Sequence, residues 1–503
     1  MVARTEPADK RELDHLGELR GQAEALRAFV EQAANEGQPA HEVESGIWQR
    51  ILSMGREALG AFFARQGTGD LGERVTLDDG REAQRLDHGH ARSYRSIFGE
   101  FTLHRTVYGS REKQKQAWVP LDQRLQLPES GYSYVLQDWA QSLGVEHAFG
   151  PSSRTLERIL GQAIPVDSLE RMNRQMAQDV ADYRAAQPMP SAAEEGPIVV
   201  ATADNKGVPM RRAAEQTPAG ARRGKGEKAN KKRMATVGAV YTMQPKLRTP
   251  QAVVEALFRE RSKPGSAEVG HALHKRVWSS LDTEHERGQD RVLGWIAGQV
   301  GARVGSAGQE LPCIMDGQDS LWKDARSHLA GYQVVEILDL LHVTSRVWDA
   351  AHVFYAEGSS EATAFARARI EAILEGKVGR VIGGMRQMAT KRRLSASKRK
   401  RLETICRYLQ NNRHRMRYDE YLARGYPIAT GVIEGACRYV VKDRMERAGM
   451  RWSLQGAQAM LDLRTTHVNG QWNEFQTYRI ERERERLYPN KNALANVEWP
   501  LAA

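Results

Sequence analysis

Downstream of residue 197 the chain alternates short, β-branched apolar runs with stretches of helical period, and this alternation constrains its fold more than any other feature. Pro197–Ala203, Ala235–Tyr241, Leu311–Met315 and Val334–Leu338 each have the length and composition of a buried strand. Helical patterns lie over 283–303 and 320–330. Strands in succession, then strand and helix in alternation, predict an α/β layer with a mixed sheet. From His342 to Tyr426 the period stays helical and strand propensity does not return. The stretch 187–196 (QPMPSAAEEG) is aperiodic and reads as a linker that sets this module apart.

Upstream, Leu16, Leu19, Leu26, Phe29 and Val30, then Trp48, Ile51 and Leu52, recur at spacings of three and four and predict amphipathic helices. Ile97, Phe101, Leu103 and Val107 fall on alternating residues, the period of a half-buried strand. Between Ser130 and Arg184 the pattern predicts short helices: one with Val135, Leu136, Trp139 and Leu143 on a face, one over Ser153–Leu160, and one opened by Asp167 three residues before Glu170, a capping arrangement. Three such helices fit either a helix-turn-helix or a plain helical connector.

At 503 residues the chain exceeds one core, and length alone suggests about three domains. Hydrophobic residues make up 41%, enough to fill those cores and to exclude a disordered or collagen-like chain. The net charge of +11 favours a polyanionic partner. The three cysteines, Cys313, Cys406 and Cys437, lack the spacing of a disulfide framework or structural zinc site. The charged N-terminus has no apolar h-region and no long apolar run occurs, so a cytoplasmic protein is expected, with no membrane partner.

Three acids stand where an α/β domain would place a metal site. Asp204 follows the first strand, in ATADNKGVPM, although Asp-Asn-Lys-Gly is also ordinary turn chemistry. Asp316 ends another strand, in LPCIMDGQDSLW, and Asp-Gly too is a common turn. Glu434 lies four residues after Thr430, which can cap its helix, and an ion pair with Arg438 is its plainer role. Together, two aspartates at strand ends and a glutamate on a later helix suit magnesium or manganese. Two such ions about 4 Å apart activate a water or 3′-hydroxyl against a phosphodiester.

The segments ADNKGVPM, KKRMATVGAVYT, MDGQDSLW, LDLLH and GVIEGACRYVVKDRMERAGMRWS resemble insertion-sequence transposases of the Kra group, over roughly residues 80–475. The resemblance implies a DDE transposase with an RNase H-like catalytic core, with Asp204, Asp316 and Glu434 as catalytic acids holding two Mg2+ or Mn2+ ions. Asn205 departs from the glycine usual in that group. The chain also resembles the wider Mutator-like transposases in Asp339-Leu340-Leu341-His342, which implies that His342 supports the catalytic centre. On the residues alone, His342 reads first as a core histidine at a strand end, and Trp348 as a packed side chain before a stacking platform for a flipped base.

On that basis the expected fold is multidomain α+β: a helical region at 1–80, a small β-containing region at 81–129 and a helix-turn-helix-like region at 130–186. The linker 187–196 follows, then an RNase H-like α/β core with a mixed sheet at 197–342 and 428–475. The core is interrupted by an all-helical insertion at 343–427, which explains the long separation of Asp316 from Glu434, and a charged tail occupies 476–503. Two basic runs are candidate DNA contacts: Arg222, Arg223, Lys225, Lys228, Lys231, Lys232 and Arg233 in a glycine-containing loop, and Lys391, Arg392, Arg393, Lys398, Arg399, Lys400 and Arg401 in the insertion. The expected partners are double-stranded DNA, as element ends and target, and further copies of the chain assembled on it. A non-catalytic DNA-binding regulator and a metal-dependent nuclease of the same fold remain open alternatives.

Overall fold

The computed structural model describes residues 8–86, 90–110, 115–191, 193–211, 232–260, 272–304, 308–447, 449–495, 497 and 499. The chain divides into two compact units, Met1–Asp179 with Asn473–Ala503, and Val180–Trp472. It is an α+β protein, and among the described residues no helix is long and apolar enough to cross a membrane.

The first unit opens on two long helices, α1 (Ala8–Glu36) and α2 (Ala40–Arg65), joined through Gly37 at φ 66°. Gly46 lets them close: a Cβ there would meet the Phe29 ring at 2.4 Å, and Arg50 stacks over that ring at 3.8 Å. Six short strands follow, β1 (Arg74–Thr76), β2 (Glu82–Arg85), β3 (His90–Ser96), β4 (Gly99–Arg105), β5 (Tyr108–Ser110) and β6 (Lys115–Trp118). They form a sheet in the order β1-β2-β5-β6 and a separate β3-β4 pair.

After α3 (Pro120–Leu125) come α4 (Tyr134–Glu146), α5 (Phe149–Leu160) and α6 (Val166–Met176). Ser133 caps α4 by accepting from the Leu136 amide at 3.1 Å. The capping expected at Asp167 is not found: Pro165 stands at the N-cap of α6 and Asp167 lies inside its first turn, where its charge suits the helix dipole. Of the polar residues on α6, Asn173 is buried and donates to Gln141 at 3.0 Å, so it belongs to the core.

The second unit begins with α7 (Val180–Ala186). Its sheet runs β11-β10-β7-β8-β9, from strands β7 (Ile198–Pro209), β8 (Lys232–Met243), β9 (Leu273–Leu281), β10 (Glu310–Met315) and β11 (Gln333–Leu338). β7, β8 and β9 are antiparallel neighbours, whereas β10 and β11 run parallel to β7. Side-chain alternation splits the core in two. Val199, Ala201, Ala203, Cys313 and Met315 face α9 (Gly288–Arg303) and α10 (Asp319–His328). Val200, Ile314 and Ile337 face the opposite way, into a cluster with α8 (Pro250–Leu257) and the helical array α11 (Leu340–Phe354), α12 (Ser360–Leu374), α13 (Val378–Lys391), α14 (Ala396–Asn411) and α15 (Tyr418–Ala423).

Two elements depart from expectation here. Asp204-Asn205-Lys206-Gly207 is not a turn, because β7 pairs with β8 in unbroken register from Ile198↔Met243 to Pro209↔Lys232. β9 was not anticipated, since its burial comes from elsewhere in the chain. Helix α18 (Leu454–Val468) covers it, Asp462 accepts from Trp278 Nε1 at 3.2 Å, and Asn469 bonds both the amide and the carbonyl of Val277 at 2.9 and 3.0 Å. The asparagine thereby satisfies an edge strand's free backbone groups.

Between β11 and α18 the chain also forms α16 (Gly431–Ala436), a π-helical segment Cys437–Lys442, and α17 (Asp443–Met445). Of residues 476–503, expected as a charged tail, those up to Leu487 instead continue α19 (Trp472–Leu487). Within the first unit, Phe475 is fully buried and Arg479 donates to Gln137 at 3.2 Å, so one face of this charged helix is core. All three cysteines are free and buried.

Candidate metal centre

Asp316 and Asp339 directly follow the ends of β10 and β11, and Asp204 lies level with them within the longer neighbouring strand β7. β10 is in register with β7 at Ile314↔Thr202 and with β11 at Met315↔Leu338. Continuing these registers past the strand ends brings Asp316 level with both Asp204 and Asp339, on strands about 4.8 Å apart. All three fall on the parity of Ile314 and Ile337, toward the helical array. Carboxyl ends of parallel strands are where open α/β sheets place their ligands.

Asp339 is fully buried and its carboxylate is spoken for at both oxygens. Oδ2 lies 2.6 Å from Nδ1 of His342, and Oδ1 accepts the Thr430 amide at 2.9 Å and the Leu341 amide at 3.3 Å. One side chain therefore caps α11, orients His342 one turn along it, and holds the start of α16, which carries Glu434. Thr430 contributes to α16 through this amide and not through a side-chain cap. Asp339, His342 and Glu434 offer ligand atoms that all lie within 4.8 Å of one another. With Nδ1 engaged by Asp339, Nε2 of His342 is left for a metal or a substrate proton, the arrangement common to metal-binding histidines.

Glu434 does not pair with Arg438. The wider turn of Cys437–Lys442 carries Arg438 away, and it meets Asp443 at 3.4 Å. Such π segments are frequent at functional sites. From the same segment Cys437 donates its thiol to Asp204 Oδ2 at 3.4 Å, while Asp204 Oδ1 takes the Asn205 amide at 2.7 Å. Asp316 Oδ1 accepts the Gln318 amide at 2.9 Å, and Trp322 Nε1 donates to the Asp316 carbonyl at 2.6 Å.

Asn205 projects from the opposite face of β7. Its amide donates to Gln289 at 3.0 Å and Gln318 at 3.3 Å, and it accepts from Thr236 at 2.6 Å. The departure from glycine thus braces the strand behind Asp204 and leaves the acid's own bonds alone.

The electrostatics describe a crowded anionic pocket. Burial, then the charges of Asp204 and Asp339, hold the Asp316 carboxyl above its usual range. Burial and the Asp339 charge do the same to Glu434. His342 is raised by its hydrogen bond to Asp339, with Asp316 and Asp204 adding to the effect. Burial, with Asp204 beside it, pushes the Cys437 thiol up as well. Carboxyls raised by burial among other carboxylates are the condition a bound cation relieves.

The structure thus places all four sequence-predicted site residues around the end of β10, with Asp204 level with it on the neighbouring β7. The tight group, however, is Asp339, His342 and Glu434, and Asp204 and Asp316 lie outside it. Asp339 was legible only as part of an Asp-x-x-His spacing. Its strand-end position, matching that of Asp316, was the stronger signal. His342 is not a core histidine, since 44% of its side chain is exposed. Trp348 is a packed residue, half-buried against Phe258 and His352 at 6.0 and 5.9 Å.

Of the basic runs, Arg222, Arg223, Lys225, Lys228 and Lys231 lie outside the described residues. Lys232 is held by Glu446 at 2.6 Å, and Arg233 donates to the Asp282 carbonyl at 2.9 Å, so both have structural roles. In the insertion Arg392 donates to Tyr355 Oη at 2.8 Å and Arg401 meets Asp349 at 3.1 Å. Lys391, Arg393, Lys398, Arg399 and Lys400 are exposed and form no ion pair among the described residues. No protein-family model matches this chain, and no curated protein matches it either.

Proposed function

We propose that the chain is a DNA transposase of the DDE type, cleaving phosphodiesters and joining strands with divalent cations at this centre. The observation that carries the reading is the row of Asp204, Asp316 and Asp339 level across three adjacent parallel strands, faced by Glu434 and His342. The strand order, three antiparallel strands followed by two added in parallel, supports an RNase H-like core. The net charge of +11 and the unpaired cations of the insertion support a DNA substrate.

The donor set fits a hard divalent cation such as Mg2+ or Mn2+: carboxylates from separate elements, with Asp316 and Glu434 raised by burial and by the charges of Asp204 and Asp339. Asp204, Asp316 and Glu434 would hold the ions, which supply charge stabilisation to an in-line displacement. Asp339 would fix His342 and Glu434 in place. His342, through Nε2, would hold a proton near the reacting phosphate. In this reading, homo-oligomers assemble on element ends, and α4 to α6 present a helix-turn-helix-like surface to the terminal repeats.

The test is cleavage and joining of duplex DNA by the purified chain with Mg2+ or Mn2+, against Asp204→Asn, Asp316→Asn and Glu434→Gln. Loss of both reactions in each variant, with folding and DNA affinity kept, supports the reading. Cleavage without any joining makes the chain a nuclease, and DNA binding without either reaction makes it a regulator.

A further inference from the structure

Among the side chains by which the insertion reaches the acid row is Tyr408. Gly317, immediately after Asp316, is covered by Tyr408 of α14: a Cβ at 317 would lie 2.5 Å from Tyr408 Cε2 and 2.7 Å from its Oη. The phenol edge, hydroxyl included, therefore rests on the Asp316–Gly317 backbone. Above the ring, at 5.1 Å from its centroid, stands the Arg346 guanidinium. Arg346 follows His342 by one turn of α11, so both project from the same face of that helix. Its other contact is Asp349 at 3.6 Å, and about half of its side chain is exposed.

The Tyr408 hydroxyl has no hydrogen-bond partner among the described residues, although the ring is half-buried. A phenol hydroxyl is a neutral donor near neutral pH. A neutral donor and a guanidinium set beside a row of carboxylates do not serve those carboxylates, which already take the Gln318, Asn205 and Thr430 amides. They suit the remaining party to the reaction, the non-bridging oxygens of a phosphodiester, which bind guanidinium and hydroxyl donors.

Resting on the function proposed above, we infer that Tyr408 and Arg346 form a phosphate clamp, in which the Tyr408 hydroxyl donates to the scissile phosphate and Arg346 balances its charge. The helical insertion is then a working wall of the centre. Removing one preorganised donor from a developing oxyanion lowers a rate on the order of 100-fold.

The test uses the full-length chain and a supercoiled plasmid with Mg2+. Single-turnover nicking is measured beside DNA affinity in Ca2+ for wild type, Tyr408→Phe, Tyr408→Ala, Arg346→Ala and the Tyr408→Phe/Arg346→Ala pair. Tyr408→Phe keeps the ring and loses the hydroxyl. Its nicking rate should fall on the order of 100-fold with affinity unchanged, Tyr408→Ala should be no worse, and the double variant should fall short of the product of the singles because both contact one phosphate. Wild-type rate in Tyr408→Phe, whatever Tyr408→Ala does, overturns the clamp by reducing the ring to packing. Should Tyr408→Phe fail to fold, Arg346→Ala decides alone: nicking at the wild-type rate overturns the clamp. A wild-type chain that nicks nothing overturns the proposed function itself, and the clamp with it.

Discussion

Asp339 Oδ2 lies 2.6 Å from His342 Nδ1, on a helix that Asp339 itself caps. The bond raises His342 above its ordinary 6.5. Because the folded-state value is the higher one, the pair's contribution to stability is complete below about pH 6.5 and is lost as pH rises through the raised value. Asp339→Asn should bring His342 back toward its ordinary value, read from the histidine ring signals in an NMR titration without divalent ions. An unchanged His342 titration in that variant would assign the shift to Asp316 and Asp204 instead. Asp339→Ala should also cost roughly 1–3 kcal/mol in denaturant unfolding, since it leaves the buried Thr430 amide without an acceptor.

Asp316 and Glu434 act on stability in the same direction as His342, over a lower pH window. Their carboxyls are raised, so the folded chain holds protons the unfolded chain has released, and stability falls as pH rises from the ordinary carboxylate range to the raised values. Asp316→Asn should therefore stabilise the cation-free chain at neutral pH, by about 0.5–2 kcal/mol, while abolishing cleavage. Saturating Mg2+ should stabilise wild type and leave the variant unmoved. Thermal melts with and without Mg2+ decide this, and a variant less stable than wild type in both would refute the crowding argument.

What the sequence showed of this centre was what local pattern encodes. Asp316 ends a short apolar run and Glu434 follows a helix start, and both sit where those signals put them. Asp204 was harder, because Asp-Asn-Lys-Gly has the composition of a turn and only the ladder to β8 keeps it extended. Asp339 hid behind its helix-capping role, and its part in the row appears only when the registers of β7, β10 and β11 are laid side by side. Strand β9 has few apolar residues of its own and is made a strand by Trp278 beneath Asp462 and by Asn469 on its edge, contacts formed across long stretches of chain. Helix α19 reads as a run of charges because, past Trp472, only Phe475, Gln476 and Arg479 of its residues are buried. Tyr408 carries no sequence signal at all.

Gly317 gives a direct handle on the approach of Tyr408 to the acid row. A methyl group at this position would sit 2.5 Å from the Tyr408 ring, so Gly317→Ala must displace the Tyr408 side chain, α14 or the Asp316 backbone. Overpacking of this kind costs about 1–3 kcal/mol. The larger effect should be on nicking, which should fall at least as far as in Tyr408→Phe. Combining Gly317→Ala with Tyr408→Ala should recover stability but not activity. Recovery of both would show that the ring only fills space.

The exposed cations of the insertion make a prediction of a different kind, because their expected partner is a phosphate chain and not a base sequence. Lys391, Arg393, Lys398, Arg399 and Lys400 cluster around the α13–α14 junction, where Arg393 adopts φ 46° and Ser395 caps α14 by accepting from the Lys398 amide at 3.4 Å. The neighbouring Arg392 and Arg401 are tied to Tyr355 and Asp349, which holds the backbone of the cluster in place while the five free cations face solvent. Neutralising the five to glutamine should weaken binding to specific and scrambled duplexes by the same factor. It should also reduce the slope of log affinity against log salt by about 0.9 for each phosphate that the chain no longer neutralises. Neutralising Arg392 and Arg401 should change that slope little and should instead lower the melting temperature. A five-fold variant whose salt slope matches wild type would make the cluster a solvated face, and DNA binding would then have to come from elsewhere on the chain.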